Sequence, residues 1–327
     1  MIKSIALSLY LIFSCSVSAN EAETTNSLPI HINQENITVS GISSGAYMAT
    51  QFHIAHSENV SGAALLAGGP YYCAQNSIQT ALGSCMKNTE AYQADAALST
   101  IQSYLKQGLV DNTSNLANDK VWLFHGKKDL VMSENMSKNS GILYKSLGTT
   151  NIVEKFDIDS NHGFPTVSKG VACDSIGSPF LNACGYDAAE AIFKNLYGEL
   201  IEKQTASGKL IPIDQSDYND SFFLESGYLY VPNSCSEEQS CILHIVFHGC
   251  KQSTQFVENS FIENAGYNEW AESNNIIVFY PQISSSLMNP NGCWDWWGYT
   301  GSDYSNKKGS QIKAIFDMVN SLTKAKQ

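Results

Sequence analysis

Arginine is absent from this chain of 327 residues, and all 19 of its basic side chains are lysines. The planar fork that grips a phosphate or a guanine edge bidentately has no residue to supply it, which argues against nucleic acid as a partner. Charge is scarce altogether: 15% of residues are charged, 19 basic against 31 acidic, for a net charge of −12. Such a surface repels polyanions and acidic membranes and leaves neutral or cationic molecules as the electrostatically easy partners. No apolar run reaches the ~20 residues needed to span a bilayer, so no membrane span is expected. Internal repeats and low-complexity tracts are missing, as is any C-x-x-C pair or Cys/His cluster with zinc spacing, so neither a metal nor another cofactor is expected. With 43% hydrophobic residues, what remains is the composition of a globular protein with a sizeable core.

The N-terminus stands apart. Lys3 precedes the apolar run of residues 5–13, and Val17-Ser18-Ala19 places small side chains before a cut ahead of Asn20. Residues 1–19 therefore read as a secretory signal peptide and residues 20–327 as the mature chain; a lipoprotein cut before Cys15 is the minor alternative. Of nine cysteines, eight survive removal of the leader, an even number suited to an oxidising compartment. Cys73/Cys85, Cys173/Cys184 and Cys235/Cys241 are close in sequence and flanked by Gly, Ser, Asn or Pro, so each pair is expected to staple a local loop. Cys250 is then left with Cys293. Closing loops of this size typically contributes ~3 kcal/mol each.

Short apolar runs alternate with amphipathic stretches, the signature of an α/β sheet covered by helices. Strands are expected at residues 37–40, 63–66, 121–125, 152–156, 228–231, 242–248 and 276–280. Helices are expected at 45–57, 92–107, 134–147, 186–197, 255–273 and 311–324. The polar, glycine-containing stretch 198–226 resembles a linker, but the second half alone lacks the strands for an independent core, so one domain is preferred.

Gly41-Ile42-Ser43-Ser44-Gly45 matches G-x-S-x-G, and it lies between an expected strand and an expected helix, the context a nucleophile elbow requires. Ser43 is the candidate nucleophile, and the backbone N–H of Ser44, at the helix N-terminus, suits a developing oxyanion. Downstream, an apolar strand runs into His125-Gly126-Lys127-Lys128-Asp129, placing Asp129 where a triad acid sits. Asp159-Ser160-Asn161-His162 then presents His162 on a loop as the base. The order Ser43, Asp129, His162 is the order α/β-hydrolases use. His125 is a rival for the base, disfavoured by its place on the acid's own strand end. His53 and His56 lie one helical turn apart without a third ligand and read as packed helix positions.

An α/β-hydrolase normally places several strands ahead of the elbow, one of them ending in a His-Gly loop that gives the second oxyanion N–H. Here scarcely twenty mature residues precede Ser43, whereas residues 242–248 run into His248-Gly249-Cys250 near the other end. The order is that of a circular permutation, feasible where termini lie close together. Cys250 N–H becomes the second oxyanion donor, with His248 supporting its loop. A Cys250–Cys293 bridge brings Trp294-Asp295-Trp296-Trp297 alongside, as substrate surface or as ordinary core.

Gly41 through Ala49, Ala67-Gly68-Gly69-Pro70-Tyr71, His244 through Gln252, Gly266-Tyr267-Asn268 with Trp270-Ala271, and Asn289 through Trp296 together resemble the single-domain, circularly permuted poly(3-hydroxybutyrate) depolymerases, best known from fungi. The resemblance extends through nearly the whole mature chain, including all eight cysteines. It implies a secreted serine esterase of the α/β-hydrolase fold acting on short-chain hydroxyalkanoate polyester or its oligomers. The triad positions fall on Ser43, Asp129 and His162, the oxyanion positions on Ser44 and Cys250, and the substrate-contacting tryptophans among Trp294, Trp296 and Trp297. Ala46 stands where the fungal pattern has glycine, and the segment around Lys127 and Lys128 is more charged. The alternatives are a secreted esterase for small or carbohydrate-linked esters, such as feruloyl or acetyl esters, and a non-catalytic binding protein on a hydrolase scaffold.

Overall fold

The apolar runs become the inner strands of one sheet in the computed structural model, which describes residues 30–88, 92–235 and 239–323. The expected signal peptide and Cys15 lie outside the described residues. In chain order the strands are β1 (His31–Ile42), β2 (Val60–Leu66), β3 (Lys120–Phe124), β4 (Asn151–Lys155), β5 (Phe164–Thr166), β6 (Val171–Ala172), β7 (Leu181–Ala183), β8 (Lys209–Asp214), β9 (Ser226–Val231), β10 (Ser240–Phe247) and β11 (Ile276–Tyr280). Eight of them form a sheet in the order β4-β3-β2-β1-β10-β11-β9-β8, and β5, β7 and β6 form a separate small one. From β4 to β11 the strands are parallel; β9 and β8 continue the edge in antiparallel pairing.

Alternation along the central strands feeds two cores, because successive side chains leave a strand on opposite faces. Leu243, Ile245 and Phe247 of β10, with Ile277 and Phe279 of β11, pack on one face with Phe52 of helix Ser44–Ala55 and Ile315 and Val319 of helix Ser310–Thr323. Val246, Ile276, Val278 and Tyr280 face the other side, against Ile192 and Phe193 of helix Ala188–Tyr197 and Trp270 of helix Tyr267–Asn274. A polar rivet joins β1 to β10: His244 Nδ1 lies 2.7 Å from Thr38 Oγ1 and Nε2 lies 2.8 Å from Ser40 Oγ. Burial pulls the His244 pKa down to about 3, so the ring stays neutral there.

All seven expected strands form. The supposed linker 198–226 instead contributes edge strand β8, where Pro212 is tolerated because an edge strand need not donate on its outer side. The expected helix 255–273 is broken into Thr254–Val257, Ser260–Asn264 and Tyr267–Asn274. Positive φ angles at Glu258 (51°) and Gly266 (93°) end the first two turns and redirect the chain. The bridges Cys73–Cys85, Cys173–Cys184, Cys235–Cys241 and Cys250–Cys293 form in the expected pairing.

The elbow's tight packing tests the β1–β10 contact. A Cβ on Gly45 would sit 2.1 Å from the Phe247 carbonyl oxygen and 2.5 Å from that of His248, both backbone atoms of or just beyond β10. Neither atom can yield without moving the strand. Gly45→Ala is expected to lower unfolding stability by about 3 kcal/mol or more, read as a shifted urea midpoint; an unshifted midpoint would contradict this packing.

Candidate active site

Ser43 sits where β1 turns into helix Ser44–Ala55, with φ 57° and ψ −121°. That conformation is strained for a residue with a side chain, and such strain collects at functional sites. The flanking glycines make the turn possible, since a Cβ on Gly41 would meet the Gly45 carbonyl oxygen at 2.1 Å. Ser43 N–H donates to the Leu66 carbonyl at 2.8 Å, fixing the turn against β2. Ser44 N–H begins the helix, where no intrahelical acceptor exists.

The loop after β3 carries Asp129 and the loop after β4 carries His162. His162 Nδ1 lies 2.7 Å from Asp129 Oδ2, and Asp129 Oδ1 accepts from the N–H groups of Val131 and Met132 at 2.8 Å each. Burial alone would raise the Asp129 carboxyl, but the His162 hydrogen bond and charge, with the Met132 N–H, hold it below its ordinary value of 3.8. The two loops are stitched together: Lys127 and Lys128 N–H donate to the Ile158 and Ser160 carbonyls, and Asn161 Oδ1 accepts from Leu130 and His162 N–H. Asn182 braces the same loop by donating to the carbonyls of Ala172, Cys173 and Ser175, beside the Cys173–Cys184 bridge.

Ser43, Ser44, His162 and Cys250 all line one cleft of about 530 Å³. No hydrogen bond joins Ser43 to His162 in this structure; such contacts are often long until substrate binds. Most of the remaining wall is apolar, including Tyr47, Met86, Met132, Phe180, Trp296 and Trp297. Trp296 stacks on Tyr47 with ring centres 4.4 Å apart, and Trp297 meets Trp296 edge-on at 5.7 Å. The turn presenting both is clamped by Asp295, whose carboxylate accepts from the N–H groups of Trp297, Gly298, Tyr299 and Thr300 and from the Thr300 hydroxyl.

Trp294 departs from expectation. It is fully buried and absent from the cleft lining, packed edge-on against Phe247 and Phe223 and tilted against His248. Its large apolar ring fills the core between these residues, so a substrate-contact role is corrected to a packing one. His125 also lies outside the cleft, buried with Nδ1 3.1 Å from Ser137 Oγ and Nε2 3.9 Å behind the Asp129 carboxylate; burial pushes its pKa down. His53 is held by Tyr144 and Asp119, and His56 stacks on Phe316. Among the described residues no His, Cys, Asp and Glu cluster has metal-site geometry. Lys127 and Lys128 face Asp159 and Asp174 in half-exposed pairs outside the cleft.

Two residues to which the sequence drew no attention complete the architecture. Gln252 Oε1 accepts from Gly249 N–H at 2.8 Å while its Nε2 donates to the Phe180 carbonyl at 3.1 Å, coupling the Cys250 loop to the segment beyond His162. Asn161 precedes the expected base and ties it to the Asp129 loop. Asn161 was signalled only by its place beside His162, and Gln252 by nothing beyond its nearness to the Cys250 loop.

No family model matches the sequence. The chain is 38% identical over 317 residues to a poly(3-hydroxybutyrate) depolymerase of Delftia acidovorans, covering 94% of this chain but only 64% of that protein, so it spans less than two thirds of that relative's length. It is 34% identical over 331 residues to a polyhydroxybutyrate depolymerase of Talaromyces funiculosus, covering 94% of this chain and 95% of that one. Two solved structures superpose with a TM-score of 0.84 at 33% identity, covering 92% of this chain and 99% of each of theirs: a PHB depolymerase from Penicillium funiculosum, and a PHB depolymerase complexed with an R3HB trimer. The architecture is accordingly of the α/β-hydrolase type.

Two measurements check this geometry. Because Asp129 has a lowered pKa in the folded state, its contribution to stability is complete above the ordinary carboxyl range and is lost as pH falls through its lower folded value. Between about pH 6 and about pH 3 the urea midpoint of the parent should therefore fall further than that of Asp129→Asn; parallel falls would contradict the pairing with His162. Trp294→Ala should cost ~3–5 kcal/mol of stability, whereas Trp297→Ala, half-buried at the cleft, should cost well under ~2; the reverse order in thermal unfolding would contradict the correction.

Proposed function

Because the chain belongs to the poly(3-hydroxybutyrate) depolymerase family, we propose that it is a secreted serine esterase that hydrolyses poly(3-hydroxybutyrate) or related short-chain hydroxyalkanoate polyesters and oligomers. One observation carries the reading: the hydrogen-bonded His162–Asp129 pair opens into the same apolar cleft as the strained Ser43 turn. His162 Nε2 takes the Ser43 proton as Oγ attacks the ester carbonyl, and the Asp129 carboxylate stabilises the imidazolium that results. The N–H groups of Ser44 and Cys250 receive the tetrahedral oxyanion. Collapse breaks the bond to the leaving oxygen, which takes the proton from His162 and departs as the hydroxyl end of the released chain, and leaves an acyl group on Ser43. Water activated by His162 then releases the hydroxyacid and restores the serine.

The cleft's character fits an aliphatic ester. Its apolar wall suits methyl-substituted chain, and Ile78, Leu82, Ile176 and Met288 line the cleft while remaining exposed, offering an apolar rim to a solid polymer. The net charge of −12 does not oppose a neutral polyester. We read residues 20–327 as a single catalytic domain in circularly permuted order, supported by the sheet: β8 to β11 follow the elbow in sequence yet supply the flank that a hydrolase builds ahead of it. Four disulfides and the leader-like N-terminus support export.

Clearing of a poly(3-hydroxybutyrate) suspension, compared with release of ferulate from a model feruloyl ester, tests both substrate and machinery. The parent should clear the polymer and release little ferulate, and Ser43→Ala should lose more than about 10³-fold of the clearing rate while unfolding at the same midpoint. Clearing retained by Ser43→Ala would overturn the mechanism, and ferulate release without clearing would overturn the substrate class.

A further inference from the structure

The cleft that holds Ser43 is walled by apolar and neutral polar groups with one exception. Among the described residues no aspartate or glutamate lines it, and Lys251 is the one side chain there that carries a permanent charge. It directly follows Cys250, the proposed second oxyanion donor. Two ties hold its backbone at the mouth: Lys251 N–H donates to the Asn291 carbonyl at 2.7 Å, and the Cys250–Cys293 bridge anchors the preceding residue. Its φ of 57° lies in the left-handed region, where glycine fits with less strain. Strained backbone of this kind gathers at active sites and ligand clamps, and here it carries a long, exposed cationic side chain.

Elsewhere in the fold lysines find acidic partners, as Lys138 does with Glu134 at 2.6 Å and Lys128 with Asp174 at 3.6 Å. Among the described residues no carboxylate pairs with Lys251. On a molecule of net charge −12, its ammonium is a local positive site in a field that otherwise turns anions away. The chemistry of the proposed substrate supplies the missing counter-ion. Hydrolysis adds water across a polyester bond and gives one carboxylate and one hydroxyl, so every soluble oligomer ends in a carboxylate while the chain interior is neutral. We infer that Lys251 is a specificity-determining residue that binds the terminal carboxylate of hydroxyalkanoate oligomers, favouring their cleavage over that of neutral chains of equal length. The inference rests on the esterase reading above. Ser43 takes the acyl half of the ester, and the half that departs as the alcohol bears the carboxylate terminus. The ion pair therefore acts in acylation, which kcat/KM reports, and is gone once the acyl-enzyme meets water.

The hydroxybutyrate trimer, supplied as the free acid and as its neutral carboxyl-terminal methylamide, tests this near neutral pH. In the parent, kcat/KM for the acid should exceed that for the amide by about fivefold at low salt, the size of a partly exposed ion pair. The ratio should approach unity as salt screens the pair. Lys251→Gln should bring the ratio close to unity at every salt concentration, Lys251→Arg should keep it, and Lys251→Glu should invert it. A parent ratio of unity, a ratio that Lys251→Gln leaves unchanged, or equal losses in the glutamine and arginine variants would overturn the inference. A parent that cleaves neither trimer would instead overturn the esterase reading beneath it. Should a variant fail to fold, the salt dependence of the parent ratio decides, a salt-independent ratio overturning the inference.

Discussion

The parallel pairing of β1 with β10 is the constraint on which the site depends. It sets Gly41 opposite Phe247, so that the strand ending in the Ser43 turn and the strand ending in the His248-Gly249-Cys250 loop emerge side by side from the same edge of the sheet. Gly45 closes the contact by lying directly on the carbonyls of Phe247 and His248. A one-residue slip would exchange the faces of every side chain on the strand. His244 opposes such a slip, because its two nitrogens reach Thr38 and Ser40 in the observed register. Two segments roughly two hundred residues apart in sequence thus meet through backbone pairing and a buried neutral imidazole.

The opposite wall of the cleft is organised by different means. Asp129 and His162 stand on loops, which are intrinsically more mobile than strands, and here amide side chains and a disulfide hold them. Asn161 spans the two loops, Asn182 gathers three carbonyls beneath them, and Gln252 reaches across from the Cys250 loop. These neutral groups satisfy buried backbone atoms without adding charge near the Asp129 carboxylate. That economy suits a chain poor in charge and without arginine. The third side is fixed by the Cys250–Cys293 bridge, the Asp295 carboxylate clamp and the Tyr47–Trp296 stack.

Much of this was legible beforehand, and for physical reasons. The central strands are continuous apolar runs because they are covered on both faces, and the turn residues of the elbow are dictated by sterics that only glycine meets. The pairing of His162 with Asp129 followed from strand ends and chain order. What escaped notice was structure without local pattern. β8 carries a proline in a short edge strand, the helix across 255–273 breaks at Glu258, where no glycine or proline announces it, and Trp294 resembles Trp296 in sequence and is buried like it, yet Trp296 lines the cleft and Trp294 does not. The bracing roles of Asn161, Asn182 and Gln252 depend on partners brought near by folding, which no spacing encodes.

The convergence of Ser43, His162 and the two N–H donors is tested most directly by a crystal structure of the protein inactivated with an organophosphonate ester. The account predicts phosphorus bonded to Ser43 Oγ, one phosphoryl oxygen within hydrogen-bonding distance of both Ser44 N and Cys250 N, and His162 Nε2 facing the position of the leaving oxygen. An adduct on another residue, or a phosphoryl oxygen directed away from Cys250 N, would contradict it.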